Sequence, residues 1–302
     1  MSDATCIGFI GIGKMGAPMA ANLVRAEYRV IAYDVAPQRA QHFAREHSAE
    51  ATDSLAELAS RTDIVITMLP SGREVREVLL EAQAGALVAG LRRGSIVVDM
   101  SSADPVGTRA LGRELAARTI ALVDAPVSGG VAGAKAGTLA IMIGGEAAAI
   151  AVVRPVLAAL GQKLFDVGSI GCGHAMKALN NFLAAASSAA GAEALTIGRE
   201  FGLDPVVMTD VLNASTGKSF NTESLIKQQV LSGHYASGFA VGLLAKDLGI
   251  AAELAQQIGV EAPVARMISE LWRDARDAIG AEQDHSCAWK YWHELRTRRL
   301  RG

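Results

Sequence analysis

A short apolar run, Ile7 to Ile10, breaks at Gly11-Ile12-Gly13-Lys14-Met15-Gly16, and a helical pattern follows from Ala17 to Arg25. Few sequence features restrict a fold as tightly as G-x-G-x-x-G set between a strand and a helix. The first glycine permits the tight turn, the second lets a pyrophosphate approach the backbone, and the third lets helix and strand pack closely. The helix start adds free amides and positive dipole potential for phosphates. A second apolar run, Val30 to Tyr33, ends at Asp34, the place expected for the residue that holds the adenosine ribose. Together these residues point to a bound dinucleotide. The glycines alone would also suit a turn needed only for packing. A carboxylate at position 34 accepts hydrogen bonds from both ribose hydroxyls and repels the 2′-phosphate of NADP. Val35, not an arginine, comes next, and Arg39 is the nearest cation that could offset the charge. The expected cofactor is NAD, with NADP less favoured.

More apolar runs continue the pattern at Asp63 to Leu69, Ser95 to Asp99, Ala121 to Asp124, Leu139 to Ile143 and Lys163 to Val167, with helical stretches between them. Nearly continuous apolar strands separated by helices predict a mostly parallel sheet covered on both faces, the doubly wound Rossmann arrangement. Ligands of such sheets bind beyond the carboxyl ends of the strands. Met68-Leu69-Pro70 and Asp99-Met100-Ser101-Ser102 lie at two of those ends. The pattern changes near Gly168. His174 to Phe201 reads as one long helix rich in Ala, Ser and Gly, roughly 42 Å in length at 1.5 Å per residue. Helices are expected after it at Pro205 to Asn213, Thr222 to Ser232, Ala240 to Ile258, Val264 to Ala278 and Ser286 to Arg299. The predicted organisation is a dinucleotide-binding α/β domain over residues 1–167 and an all-α domain over 168–302, with a long interdomain helix.

Composition narrows the function classes. Lys plus Arg number 29 against 31 acidic residues, and aromatics are 5%, so neither a basic groove nor a base-stacking platform for nucleic acid is expected. Cys6, Cys172 and Cys287 are too few and too scattered for a disulfide framework and read as reduced thiols in a cytoplasmic protein. No signal peptide is read at the start, and the longest apolar stretch, between Lys177 and Glu193, is shorter than a membrane span needs. So much small-residue helix surface predicts a homo-oligomer, a dimer or tetramer, joined through the helical domain.

Two further segments carry chemistry. Asp124-Ala-Pro-Val-Ser128-Gly129-Gly130 ends a strand and offers a hydroxyl and exposed amides that could cradle a carboxylate. Gly171-Cys-Gly-His-Ala-Met-Lys177-Ala-Leu-Asn-Asn181 opens the long helix, and its Lys177 and Asn181 share one face. A solvated first turn would also carry such a pair. Cys172 and His174 lack further ligands at suitable spacing, so no metal is expected. Asp284-His285-Ser286 reads as a helix cap.

These segments, with Gly8–Leu23, Gly137–Gly145 and Lys246–Ala251, resemble in order and separation the β-hydroxyacid dehydrogenase family, which takes in 3-hydroxyisobutyrate dehydrogenases and tartronate semialdehyde reductases. The resemblance covers nearly the whole chain. It implies hydride transfer between NAD and a small 3-hydroxy acid or its semialdehyde, at a site between the two domains. It makes Lys177 the catalytic acid or base, with Asn181 positioning the substrate and Ser128, Gly129 and Gly130 binding its acid group. It sets Lys246 near substrate and nicotinamide, with Phe239 and Asp247 close by. Leu69, Pro70 and Ser102 would touch the cofactor, Ser102 standing where many members have threonine. A free lysine titrates near 10.4 and is a poor base at neutral pH, so burial or the nearby Lys246 would have to lower it. An NADPH-dependent semialdehyde reductase and a non-catalytic dinucleotide-binding module are the alternatives; retention of Lys177, Asn181 and Ser128 argues against the second. The polar segment Asn213 to Asn221 hints at a hydroxylated or charged substrate tail.

Overall fold

The computed structural model describes residues 5–82 and 85–298. The chain divides into two compact units, Met1–Lys177 and Ala178–Gly302.

The first unit is built on one nine-stranded sheet. Its strands are β1 (Cys6–Ile10), β2 (Arg29–Tyr33), β3 (Glu50–Ala51), β4 (Ile64–Thr67), β5 (Ile96–Asp99), β6 (Ala121–Asp124), β7 (Val127–Ser128), β8 (Ala140–Gly144) and β9 (Lys163–Gly168). They lie in the order β3-β2-β1-β4-β5-β6-β8-β7, with β9 also paired to β8. From β3 to β6 every pairing is parallel, whereas β8 runs antiparallel to β6 and β7. Helices cover both faces. On one side Phe9, Ile66 and Val98 meet Met19 and Leu23 of the helix Gly16–Arg25. On the other, Ile31, Val65 and Val97 meet Leu58, Leu79 and Leu115. Alternate residues of one strand thus enter opposite cores, so the strands read as unbroken apolar runs. β3 and β7 escape a sequence reading because two residues carry no period.

The second unit is helical. The helix Cys172–Phe201 enters it and is 30 residues long, about 45 Å at 1.5 Å per residue. It is followed by Pro205–Ala214, a π-type segment Asn221–Leu231, Val241–Gln257, Pro263–Ile279 and Ala288–Arg298. The expected helix from Ser286 to Arg299 instead begins with a 3-10 turn at His285–Cys287, capped by the Asp284 side chain on the Ser286 amide at 3.0 Å; Arg299 lies outside the described residues.

Tryptophans fill this core. Trp272 and Trp292 are fully buried and meet edge to face, ring centroids 4.8 Å apart. Trp272 Nε1 donates to the Ala185 carbonyl at 3.2 Å and Trp289 Nε1 to Ser188 Oγ at 3.0 Å. A Cβ on Gly191 would come within 3.3 Å of the Trp289 ring. The Ala and Ser stripe of the long helix is therefore largely consumed inside its own unit. It does not form the exposed small-residue surface on which the sequence argument for association relied. What the helix exposes is larger: Leu183, Ile197 and Phe201 at 69%, 65% and 85%. Among the described residues no helix is long and apolar enough to cross a membrane.

Candidate active site

Sheet register sets the carboxyl ends of five strands in one row. Ile10 pairs with Tyr33 and with Thr67, Thr67 with Asp99, and Asp99 with Asp124. Backbone bonds carry the row one residue further: Gly11 to Tyr33, Met68 to Ile10, Met100 to Thr67 and Ala125 to Asp99, at 2.7–2.9 Å. The segments singled out in the first unit therefore share one edge of the sheet. They are the glycine turn, Asp34, Met68-Leu69-Pro70, Ser102 and the chain leading to Ser128.

The glycine turn has the geometry its sequence calls for. Gly11 has φ +101°, and a Cβ there would lie 2.3 Å from the Met68 carbonyl oxygen. A Cβ on Gly16 would lie 1.8 Å from the Gly11 carbonyl oxygen, so only glycine lets the helix start this close to the strand. Gly13 differs: a Cβ there would meet nothing within 4 Å. That open face is where a pyrophosphate would reach the backbone, so these residues fit NAD. Asp34 is 5% exposed; its Oδ2 accepts from the Ile12 amide at 2.8 Å and its Oδ1 from the Ala36 amide at 2.9 Å. The carboxylate thus braces the turn from below while closing β2. Arg39 Nη1 stands 3.6 Å from Oδ1. Lys14 and Pro70 are exposed; Met15, Met68, Leu69 and Ser102 are half-buried.

β6 leads through Asp124 into Val127-Ser128, where Ser128 is half-buried and Gly129 and Gly130 are exposed with φ +133° and +61°. Asp124 is fully buried and binds the start of the long helix: Oδ1 accepts from the Gly171 amide and Oδ2 from the His174 amide, each at 2.8 Å. Burial pushes its carboxyl above the ordinary 3.8, against the opposing pull of His174 and those amides. Gly144 and Gly173 permit this junction, since a Cβ on either would come within 2.5–2.8 Å of an Asp124 side-chain oxygen. Lys177, half-buried, follows His174 by one turn on the same helix.

In the second unit Asn181 is 8% exposed and its Nδ2 donates to Asp247 Oδ2 at 2.7 Å. Asn180 Nδ2 donates to Asn181 Oδ1 at 3.2 Å, and Lys246 Nζ lies 3.3 Å from Asp247 Oδ1. The amide of Asn181 is thus held in one orientation with a second N–H to spare, and Asp247 is its anchor. Phe239 accepts the His285 amide at 2.9 Å and meets the His285 ring edge-on at 5.9 Å. Sequence reasoning named Asp99 only as part of a strand end and missed Thr108; both are buried against His174. Their only sequence signal is a polar residue where a buried strand or helix face would otherwise be apolar.

Two family descriptions match. The NAD binding domain of 6-phosphogluconate dehydrogenase covers residues 6–169, and the NAD-binding region of NADP-dependent 3-hydroxyisobutyrate dehydrogenase covers 171–292. The 2-(hydroxymethyl)glutarate dehydrogenase of Eubacterium barkeri is 35% identical over 295 residues, 98% of this chain and 97% of that protein. The 3-hydroxyisobutyrate dehydrogenase of Pseudomonas aeruginosa is 37% identical over 274 residues, 89% of this chain and 91% of that one. The Mycobacterium tuberculosis 3-hydroxyisobutyrate dehydrogenase with L-serine superposes with a TM-score of 0.89 at 32% identity, covering 96% of this chain and 99% of that one.

Proposed function

The chain belongs to the β-hydroxyacid dehydrogenase family of NAD-dependent oxidoreductases acting on CH–OH, and from that premise we propose that Lys177 transfers the proton and that the substrate is a 3-hydroxypropanoate substituted at carbon 2. The three relatives' names share one fragment, HOCH2–CH–COO⁻, in 3-hydroxyisobutyrate, 2-(hydroxymethyl)glutarate and L-serine. They differ only in what carbon 2 bears. The conserved part of the substrate is then a carboxylate and a primary alcohol, and both need partners.

Ser128 and the amides of Gly129 and Gly130 hold the carboxylate. Lys177 Nζ, unprotonated, accepts the hydroxyl proton as the hydride leaves the carbinol carbon; in reduction the same atom donates it. NAD, when bound, supplies the hydride acceptor. Asn181 cannot titrate, so its spare N–H orients the hydroxyl oxygen without competing for the proton. Asp247 fixes that amide, and Lys246 beside Asp247 adds positive potential. Gly11 to Gly16 and Asp34 hold the dinucleotide, with Leu69, Pro70 and Ser102 against it. The observation that carries this reading is the buried Asp124 junction, which ties the start of the Lys177 helix to the strand that leads into Ser128. Proton acceptor and carboxylate cradle thereby belong to one compact unit.

In this reading residues 1–167 bind cofactor and 168–302 select substrate and associate. The exposed apolar row of Ile197 and Phe201, four apart on one helix face, with Leu203, Val207 and Val211 beyond it, supports a homo-oligomer. The three free thiols support a reducing, cytoplasmic setting. The test is absorbance at 340 nm on mixing the protein and NAD with 3-hydroxyisobutyrate, 2-(hydroxymethyl)glutarate, L-serine and 3-hydroxypropanoate, alongside 2-hydroxy acids. NADH formation with a 2-substituted 3-hydroxypropanoate and none with 2-hydroxy acids is expected. The opposite pattern would refute the substrate class.

A further inference from the structure

The proposed chemistry uses the Asp124 junction but gives no part to the two ionisable groups buried beside it, His174 and Asp99. His174 is 1% exposed, Asp99 2% and Asp124 0%. All three lie where β5, β6 and the start of the long helix meet. His174 Nδ1 is 2.8 Å from Thr108 Oγ1. Thr108 also hydrogen-bonds through Oγ1 to the Asp104 carbonyl at 2.9 Å. A hydroxyl has one hydrogen and a carbonyl has none, so that hydrogen goes to Asp104. Thr108 Oγ1 must therefore accept from His174, and the ring's Nδ1 carries a proton.

That assignment leaves Nε2, which is buried and has no hydrogen-bond partner. It faces Asp99 Oδ2 at 3.7 Å. Asp99 Oδ1 is already engaged, accepting from Thr67 Oγ1 at 2.9 Å and from the Ser101 amide at 3.0 Å. The Asp124 carboxylate lies 3.9 Å from the other nitrogen, so the ring fills the space between two buried acids.

The cluster reaches several of the site segments. Ser101 accepts the Leu69 amide on Oγ at 2.9 Å, which links β4 to β5 where cofactor contacts are expected. Asp124 holds the Gly171 and His174 amides. His174 is the piece that joins the Asp99 side to the helix, one turn before Lys177.

We propose that His174, bonded to Thr108 through Nδ1 and set against Asp99 through Nε2, is a positioning residue that locks the first turn of the Lys177 helix to the ends of β5 and β6. This rests on Lys177 being the proton-transfer group. A helix start free to shift by about 1 Å would misplace the Lys177 nitrogen and cost on the order of 10²-fold in turnover.

The experiment compares His174→Asn, His174→Gln, Lys177→Ala and the double variant His174→Asn/Lys177→Ala, each scaled to its NAD-binding fraction so that misfolded protein does not count. Asn mimics Nδ1 and keeps the Thr108 bond but has nothing at Nε2; the Gln amide reaches toward Asp99. We expect His174→Asn to bind NAD within about twofold of native while kcat falls about 10- to 100-fold. His174→Gln should recover part of that loss. The double variant should turn over no more slowly than Lys177→Ala alone, because the histidine acts through the lysine. Native kcat in His174→Asn, equal losses in the Asn and Gln variants, or additive losses in the double variant would each overturn the positioning role. Near-native turnover in Lys177→Ala alone would instead refute the functional reading, and the single variant detects this separately.

Discussion

If Asp34 holds the adenosine ribose as proposed, it should set the cofactor preference through a charge that cannot move aside. Its two oxygens are tied to the Ile12 and Ala36 amides at 2.8 and 2.9 Å, so it cannot swing away from a 2′-phosphate. A unit negative charge brought to about 5 Å from it costs roughly 3 kcal/mol at an effective dielectric near 20. Arg39 stands 3.6 Å away, but its side chain is 62% exposed, and solvent screens most of what it returns. A net penalty of roughly 2–3 kcal/mol predicts that NAD is favoured over NADP by about 30- to 150-fold in kcat/KM. Replacing Asp34 with Ser and Val35 with Arg removes the repulsion and adds an attraction. Val35 is 89% exposed, so the guanidinium has room. The ratio should shift toward NADP by at least about tenfold. NAD use should also weaken, since Asp34 braces the glycine turn. The assay is kcat/KM for each cofactor at a fixed hydroxy acid concentration. Equal values for the native protein, or an unmoved ratio in the double variant, would refute the argument.

Gly16→Ala puts a methyl 1.8 Å from a backbone oxygen that cannot yield cheaply; it should lower stability by about 1–3 kcal/mol and weaken NAD binding, read by thermal melting and fluorescence titration, and a native-like variant would contradict the packing account. Burial holds the His285 imidazole below its ordinary 6.5, against the pull of Asp284 and the Phe239 carbonyl. The unfolded chain then takes up that proton first, so the stabilisation is complete above 6.5 and is lost as pH falls through the folded-state value. Urea midpoints from neutral pH down to about pH 5 should fall more steeply for the native protein than for His285→Asn, and parallel curves would exclude this contribution. Sedimentation at micromolar concentration should give at least a dimer, and Phe201→Asp should shift it toward monomer; a native monomer would remove the case for association.

The glycine turn, Asp34 and the run of apolar strands were legible in the sequence because local geometry alone demands them. A tight turn needs Gly11 and Gly16 whatever surrounds it, and a strand buried on both faces needs unbroken apolar residues. The antiparallel β8 was not legible, because strand direction depends on partners distant in sequence. The Ala and Ser stripe of the long helix misled for the same reason: its partners, Trp272 and Trp289, lie some hundred residues on. Lys177 and Asn181 were visible as a shared helix face. What holds them was not: Asp124 binds backbone amides and His174 reads as one more polar residue in a helix start.

The central claim is that Lys177 transfers the proton. Steady-state kinetics of Lys177→Arg over a range of pH tests it most directly. A guanidinium keeps the positive charge but cannot give up its proton. If Lys177 is the acid and base, kcat should fall by about 10²–10⁴ in the Arg variant, and the rising limb of the oxidation pH profile should vanish. NAD affinity should be unchanged, because the proposed reading assigns the dinucleotide to the glycine turn and Asp34. If Lys177 only binds the carboxylate, the Arg variant would keep near-native kcat with a raised KM and an unaltered pH profile, and that result would contradict the assignment.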